Sequence, residues 1–173
     1  MRIYIQDLGK YNNGCNLCGE WIDLEKINED ELNKKMKKLI NEEFIILDWE
    51  YEDGEEIFFK DIMHEYADPF ELLIRQQELE NLSKEDKDIV KALILNGEDF
   101  DTALKIKDEV EVINLKNELS PFGKSEVALA DYLIENGLIE VNEFIKPYID
   151  YEKLGRDLSL DYSEPIEGLF LRY

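Results

Sequence analysis

Polar and apolar positions alternate over residues 1–8, with Arg2, Tyr4 and Gln6 set against Ile3, Ile5 and Asp7. That two-residue period predicts an opening β-strand. Tyr11-Asn12-Asn13-Gly14 marks a turn, because Asn and Gly accept positive φ readily. The strand pattern resumes over residues 20–24, so the first 25 residues read as a hairpin. Between residues 28 and 41 the period becomes helical: Leu32, Met36, Leu39 and Ile40 share one side and lysines fill the other. Residues 44–51 return to strand. The first 60 residues therefore predict a small sheet with one helix.

The middle of the chain changes character. Asp68-Pro69-Phe70-Glu71 has the form of a capping box with proline at the first helical position. Ser83 opens a further helix, with Ile89, Val90, Leu93 and Ile94 on one side and Asn96-Gly97 as its stop. Residues 99–107 add a short third helix. After this stretch, 110–115 reads as a strand and 125–135 as a helix stopped by Asn136-Gly137. Phe144, Tyr148 and Tyr151 share one face of another helical segment ending at Gly155, and Pro147 places its start near Lys146 or kinks it. Residues 158–160 and 166–173 read as closing strands. The order is mixed, helical, mixed, with no repeat and no Gly/Ser/Pro-rich linker. It predicts an elongated α+β molecule of three small subdomains in series: 1–61 (sheet plus helix), 62–107 (helical) and 108–173 (mixed α+β).

Composition then narrows the partners. Hydrophobic residues at 44% supply a packed core, which excludes disorder driven by charge alone. Asp and Glu number 42 against 20 Lys and Arg, a net charge of −22. Such a chain is repelled by nucleic acid and by anionic membrane surfaces, so the expected partners are basic surfaces, metal cations or none in particular, with acidity then serving only solubility. The opening MRIYIQDLGK lacks an apolar signal core, and no run approaches the roughly 20 apolar residues of a membrane span. Two cysteines without an export signal are no disulfide framework. The expected location is the cytoplasm.

The charge is concentrated. Residues 42–71 hold twelve carboxylates against Lys60 alone, a local net charge of −11. Scattered acids would serve solubility equally well without that self-repulsion. Within the run, Asp48-Trp49-Glu50-Tyr51-Glu52 in a strand puts three carboxylates on one face and two aromatics on the other. Same-face residues then stand about 6.6–6.8 Å apart, a spacing able to imitate a row of phosphates, which lie about 3.4 Å apart per strand along the duplex axis. The plain alternative is the wet face of an edge strand.

Other chemistry is weakly supported. Cys15-Asn16-Leu17-Cys18 is a lone CxxC that sits before a strand instead of opening a helix, and a zinc site needs about four ligands. His64 has no nucleophile context. Residues 48–59 fail as a calcium loop, with Asp53 at the glycine position and Phe59 at the terminal glutamate position. No catalytic, metal or cofactor site is expected. A carboxylate-based metal-dependent enzyme is the rival that calorimetry with magnesium, manganese and calcium separates.

Two stretches carry a family resemblance. Arg2-Ile3-Tyr4-Ile5, Leu8, Tyr11-Asn12, Gly14 and Gly19-Glu20-Trp21-Ile22-Asp23-Leu24 resemble the opening of the ArdA antirestriction proteins, and FIILDWE at residues 44–50 resembles that family's acidic strand. Leu133-Ile134-Glu135-Asn136-Gly137, then Tyr148-Ile149-Asp150-Tyr151-Glu152 and Gly155-Arg156-Asp157-Leu158, resemble its antirestriction motif. Departures are the Cys15–Cys18 turn, one residue longer than usual, Leu154 in place of an aromatic and Asn136 in place of Thr.

The resemblance implies a non-enzymatic, dimeric DNA mimic that binds the methyltransferase core of type I restriction–modification enzymes. The expected mimic face is Asp48, Glu50, Glu52, Asp53, Glu55, Glu56, Asp61 and Glu65, with Phe44, Trp49 and Tyr51 packed beneath it. In the motif, Phe144, Tyr148, Ile149, Tyr151 and Leu154 are expected to build core and homodimer contacts, alongside Gly155, Arg156 and Asp157. For Arg156 the default expectation is an ion pair. The alternative function is an acidic inhibitor or adaptor of another basic DNA-binding defence protein.

Overall fold

The computed structural model describes residues 1–15, 17–119 and 123–173. The fold is mixed α+β, with seven α-helices and two three-stranded antiparallel sheets among the described residues. Internal packing divides the chain into two units, Met1–Lys87 and Asp88–Tyr173.

The first unit contains β1 (Arg2–Asp7), α1 (Leu8–Asn12), β2 (Glu20–Asp23), α2 (Glu29–Leu39), β3 (Phe44–Glu50), α3 (Pro69–Glu80) and the start of α4 (Lys84–Leu95). Its sheet runs β2-β1-β3. The expected hairpin is present, with Arg2 opposite Asp23 and Ile5 opposite Glu20. Its connection, however, holds a helical turn, α1, that residue propensities alone read as loop. Asp7 is the cause. Its carboxylate accepts the Lys10 amide at 2.9 Å, capping α1, and the Asn41 amide at 2.8 Å, tying in the chain after α2. The connection then reverses through Gly14, whose φ of 85° favours glycine.

α2 begins with a reciprocal capping box: Asn28 Oδ1 accepts the Glu31 amide at 3.0 Å, and Glu31 Oε2 accepts the Asn28 amide at 3.1 Å. Its buried residue is Leu32, while Lys34, Lys37 and Lys38 face solvent. α3 starts at Pro69 as expected, but Asp68 caps it with one bond, from the Phe70 amide at 2.9 Å, instead of a reciprocal box. The core of this unit includes Ile3, Ile5, Ile22, Leu32, Ile46, Phe58, Phe59, Leu72, Leu73 and Leu79. Full burial of each such side chain contributes about 1.5–3 kcal/mol.

The second unit contains α5 (Phe100–Ile106), β4 (Glu111–Asn114), α6 (Ser125–Glu135), α7 (Tyr151–Leu158), β5 (Ser163–Ile166) and β6 (Leu169–Arg172). Its sheet runs β4-β6-β5. Ile113 and Leu115, Phe170 and the α6 residues Ala128, Leu129 and Leu133 form the core, with Tyr132, Leu158 and Tyr162 packed against it.

Two expectations are corrected here. The helical segment before Gly155 is split: a 3₁₀ turn spans Lys146–Tyr148, and α7 starts afresh at Tyr151 because Asp150 accepts the Lys153 amide at 3.0 Å. Residues 158–160 are not a strand. They are the end of α7 and the 3₁₀ turn Ser159–Asp161, and the penultimate strand is Ser163–Ile166. Alternation over three residues fits the last turn of a helix as well as a strand, and here Leu158 is turned into the core while Leu160 stays in solvent.

Asp7 carries a pH dependence. Hydrogen bonds from the Asn41 amide first, and then from the Lys10 amide, hold its carboxyl below the ordinary value of 3.8. A carboxyl depressed on folding contributes fully above its unfolded value and loses that contribution as the pH falls through the folded one. Denaturation midpoints measured between pH 6 and pH 3 should therefore fall less steeply below about pH 4 for Asp7→Asn than for the wild type.

Candidate functional site

The acidic run starts beside the sheet edge. β3 pairs antiparallel with β1, and the register shifts between Tyr4, opposite Asp48, and Ile5, opposite Ile46. Leu47 is thus the extra residue of a bulge, which re-aims the strand. The first half of β3 buries Ile45 and Ile46, whereas Asp48, Trp49 and Glu50 are exposed. Asp48 and Glu50 share the face of Tyr4 and Arg2, and Trp49 shares the face of Ile3. Carboxylates and indole are thereby separated, as the alternation predicts. On the acidic face Arg2 donates to Glu50 at 2.9 Å and sits 5.1 Å from the centre of the Trp21 ring. The Asp48 carboxylate accepts the adjacent Trp49 amide at 2.9 Å.

β3 ends at Glu50, so two of the three expected carboxylates lie in the strand and Glu52 lies in the turn beyond it. The Glu55 amide donates to the Glu52 carbonyl at 3.1 Å, and Gly54 between them takes φ 79°. A 3₁₀ turn over Glu56–Phe58 follows. Phe58 and Phe59 anchor the loop in the core, and Tyr51 stacks on Phe59 with ring centres 5.7 Å apart. Burial, and then the charge of Glu56, raise the pKa of the Tyr51 hydroxyl.

One expected surface acid is not on the surface. Glu55 is only 8% exposed and forms an ion pair with Lys87 of α4 at 3.2 Å, because the turn into Phe58 and Phe59 carries it inward. Asp61 is exposed but paired with Arg75 of α3, whose buried guanidinium also donates to the Phe58 carbonyl at 3.1 Å. The Glu65 carbonyl accepts the Ile46 amide at 2.8 Å, giving part of the outer edge of β3 a partner.

Asp48, Glu52, Asp53, Glu56 and Glu65 are exposed, and among the described residues none has a cation at ion-pair distance. The aromatic layer is less covered than expected. Phe44 and Tyr51 are half-buried, while Trp49 is 37% exposed and lines a shallow groove of about 370 Å³ with Tyr51, Glu56 and Lys60.

The C-terminal motif is built on the packing of α7 against α6. Gly155 is buried where the helices touch: a Cβ there would stand 2.0 Å from the Glu126 carbonyl oxygen. Lys124 and Glu152 bridge the pair at 2.6 Å, and the lysine holds the Glu152 carboxyl below its ordinary range. Ile149, Tyr151 and Leu154 are half-buried. Phe144 and Tyr148 are 89% and 86% exposed, and therefore outside the core of the chain. Arg156 and Asp157 are exposed, and among the described residues Arg156 has no ion-pair partner. Leu138, Ile145 and Leu160 are exposed in the same unit. These three went unnoticed in the sequence because isolated apolar residues carry no periodic signal.

Elsewhere, Cys15 and Cys18 are bonded to each other, while Asn16 between them lies outside the described residues. His64 is exposed and accepts the Tyr66 amide through Nδ1 at 3.1 Å. Among the described residues no three His, Cys, Asp or Glu side chains are grouped to hold a metal, and no helix is long and apolar enough to cross a membrane. The anchoring cations Lys87 and Arg75 were not legible in advance, since each lies at least 14 residues from its carboxylate.

A family model described as antirestriction protein (ArdA) matches residues 3–170. A search of curated proteins found no match.

The close approach at Gly155 sets a stability test. Gly155→Ala forces α6 and α7 apart against backbone that cannot rotate away, and should destabilise by about 1–3 kcal/mol or more. The exposed Lys153→Ala on the same helix should stay within about 0.5 kcal/mol. Urea denaturation midpoints compare the two.

Proposed function

Because the chain belongs to the ArdA antirestriction protein family, we propose that it is a decoy for duplex DNA, occupying the DNA-binding groove of a type I restriction–modification enzyme. ArdA antirestriction proteins are inhibitors and not enzymes. The observation that carries the reading is the set of exposed carboxylates at Asp48, Glu52, Asp53, Glu56 and Glu65, without cation partners among the described residues. A groove that neutralises phosphates with Lys and Arg meets carboxylates through the same charge-assisted hydrogen bonds. Opposite net charge steers the encounter, so association is fast and weakens with salt.

The same reading makes the protein a homodimer. Phe144 and Tyr148, almost fully exposed, supply aromatic area of the kind enriched at protein interfaces. Type I enzymes meet their DNA in the cytoplasm, and the decoy is proposed to act there.

Competition tests the decoy. The wild type should release a labelled duplex from a type I methyltransferase core, and a duplex that stays bound at large excess of the protein sinks the proposal. Exposed charge contacts contribute about 0.2–1 kcal/mol each, so single neutralisations should change little. Asp48→Asn, Glu52→Gln, Asp53→Asn and Glu56→Gln together should weaken competition about 10- to 100-fold and flatten its salt dependence. For the dimer, sedimentation equilibrium should show Phe144→Asp/Tyr148→Asp as a monomer where the wild type is a dimer.

A further inference from the structure

The carboxylates of the acidic run fall into two groups. Glu50, Glu55 and Asp61 each meet a cation, respectively Arg2, Lys87 and Arg75. Of these cations, Arg75 and Lys87 reach the loop from the helices behind it. Arg75 is the more deeply set, its side chain 7% exposed, and it holds the loop twice, through the Phe58 carbonyl and through Asp61. Lys87 meets Glu55, whose second carboxylate oxygen is buried and, among the described residues, accepts no hydrogen bond. Between these two fixed points the chain presents Glu56, and just before them Glu52 and Asp53, all three exposed.

We infer that Lys87 and Arg75 are positioning residues, which hold the loop so that Glu52, Asp53 and Glu56 face a basic partner. Glu55 and Asp61 are their counter-anchors and not contact residues. The inference rests on the decoy reading. Its physical basis is that a loop dense in like charge spreads when free, and cations behind it draw it into one shape. A buried ion pair is poor at adding net stability, but removal of one partner leaves an uncompensated charge that moves to water. Loss of Lys87 would let Glu55 swing outward and carry the turn at Glu52, Asp53 and Gly54 with it.

The sign of the effect separates positioning from plain electrostatics. Lys87→Met makes a chain of net charge −22 more negative by one, which by charge alone strengthens binding to a basic groove. Positioning predicts the reverse. In competition for a type I methyltransferase core, Lys87→Met should be weaker than the wild type by about tenfold, and Lys87→Arg should restore most of the loss. Hydrogen exchange of residues 52–62 should quicken in Lys87→Met and stay slow in Lys87→Arg. Should Lys87→Met fail to fold, Glu55→Gln/Lys87→Met removes both charges and leaves the net charge at −22; it too should compete less well. A Lys87→Met protein, or that double variant, that competes as well as the wild type with unchanged exchange overturns the inference. If the wild type itself releases no duplex, the decoy reading fails, and the exchange of residues 52–62 still decides whether Lys87 orders the loop.

Discussion

Like charges held close together repel, and a local charge of −11 over residues 42–71 sets the main constraint on the first unit. Segments so acidic stay open unless something else holds them. Two kinds of restraint act here. Apolar side chains pin the run at intervals: Ile45 and Ile46 at its start, Phe58 and Phe59 at its middle, Ala67 and Pro69 near its end. Cations then neutralise Glu50, Glu55 and Asp61 at the points where the chain turns inward. The remaining carboxylates are left to solvent, where water screens them from one another.

The bulge at Leu47 makes this division possible within a single strand. Without an extra residue, strict alternation would carry one face of β3 to the core along its whole length. With it, the strand buries two adjacent isoleucines and then presents Asp48 and Glu50 beside Tyr4 and Arg2. The edge is also protected from pairing with other chains, by the Glu65 carbonyl on the Ile46 amide and by the charge along it.

The second unit answers a different demand. Its core is ordinary, a three-stranded sheet covered by α6, but α7 lies so near α6 that only glycine fits at residue 155. The segment leading into α7 keeps Phe144, Ile145 and Tyr148 in solvent. Apolar side chains left in solvent together are the kind of surface that marks an interaction site.

Much of the fold was legible along the chain, because its signals are local. Strand patterning found β1, β2 and β3, helical spacing found α2, the Asp68-Pro69 start found α3, and Asn136-Gly137 ended α6. The segregation of Asp48 and Glu50 from Trp49 was likewise written in alternation. What failed were features set by individual contacts, some only three residues apart and some far along the chain. α1 exists because Asp7 reaches the Lys10 and Asn41 amides together, and α7 begins at Tyr151 because Asp150 caps it. Glu55 is inside because of Lys87 and two phenylalanines, and Gly155 is required by the backbone of Glu126. Sequence thus determined the charge, most of the strands and helices, and the family. Tertiary structure alone decided which carboxylates remain outward, since that depends on which cations the helices bring beneath them.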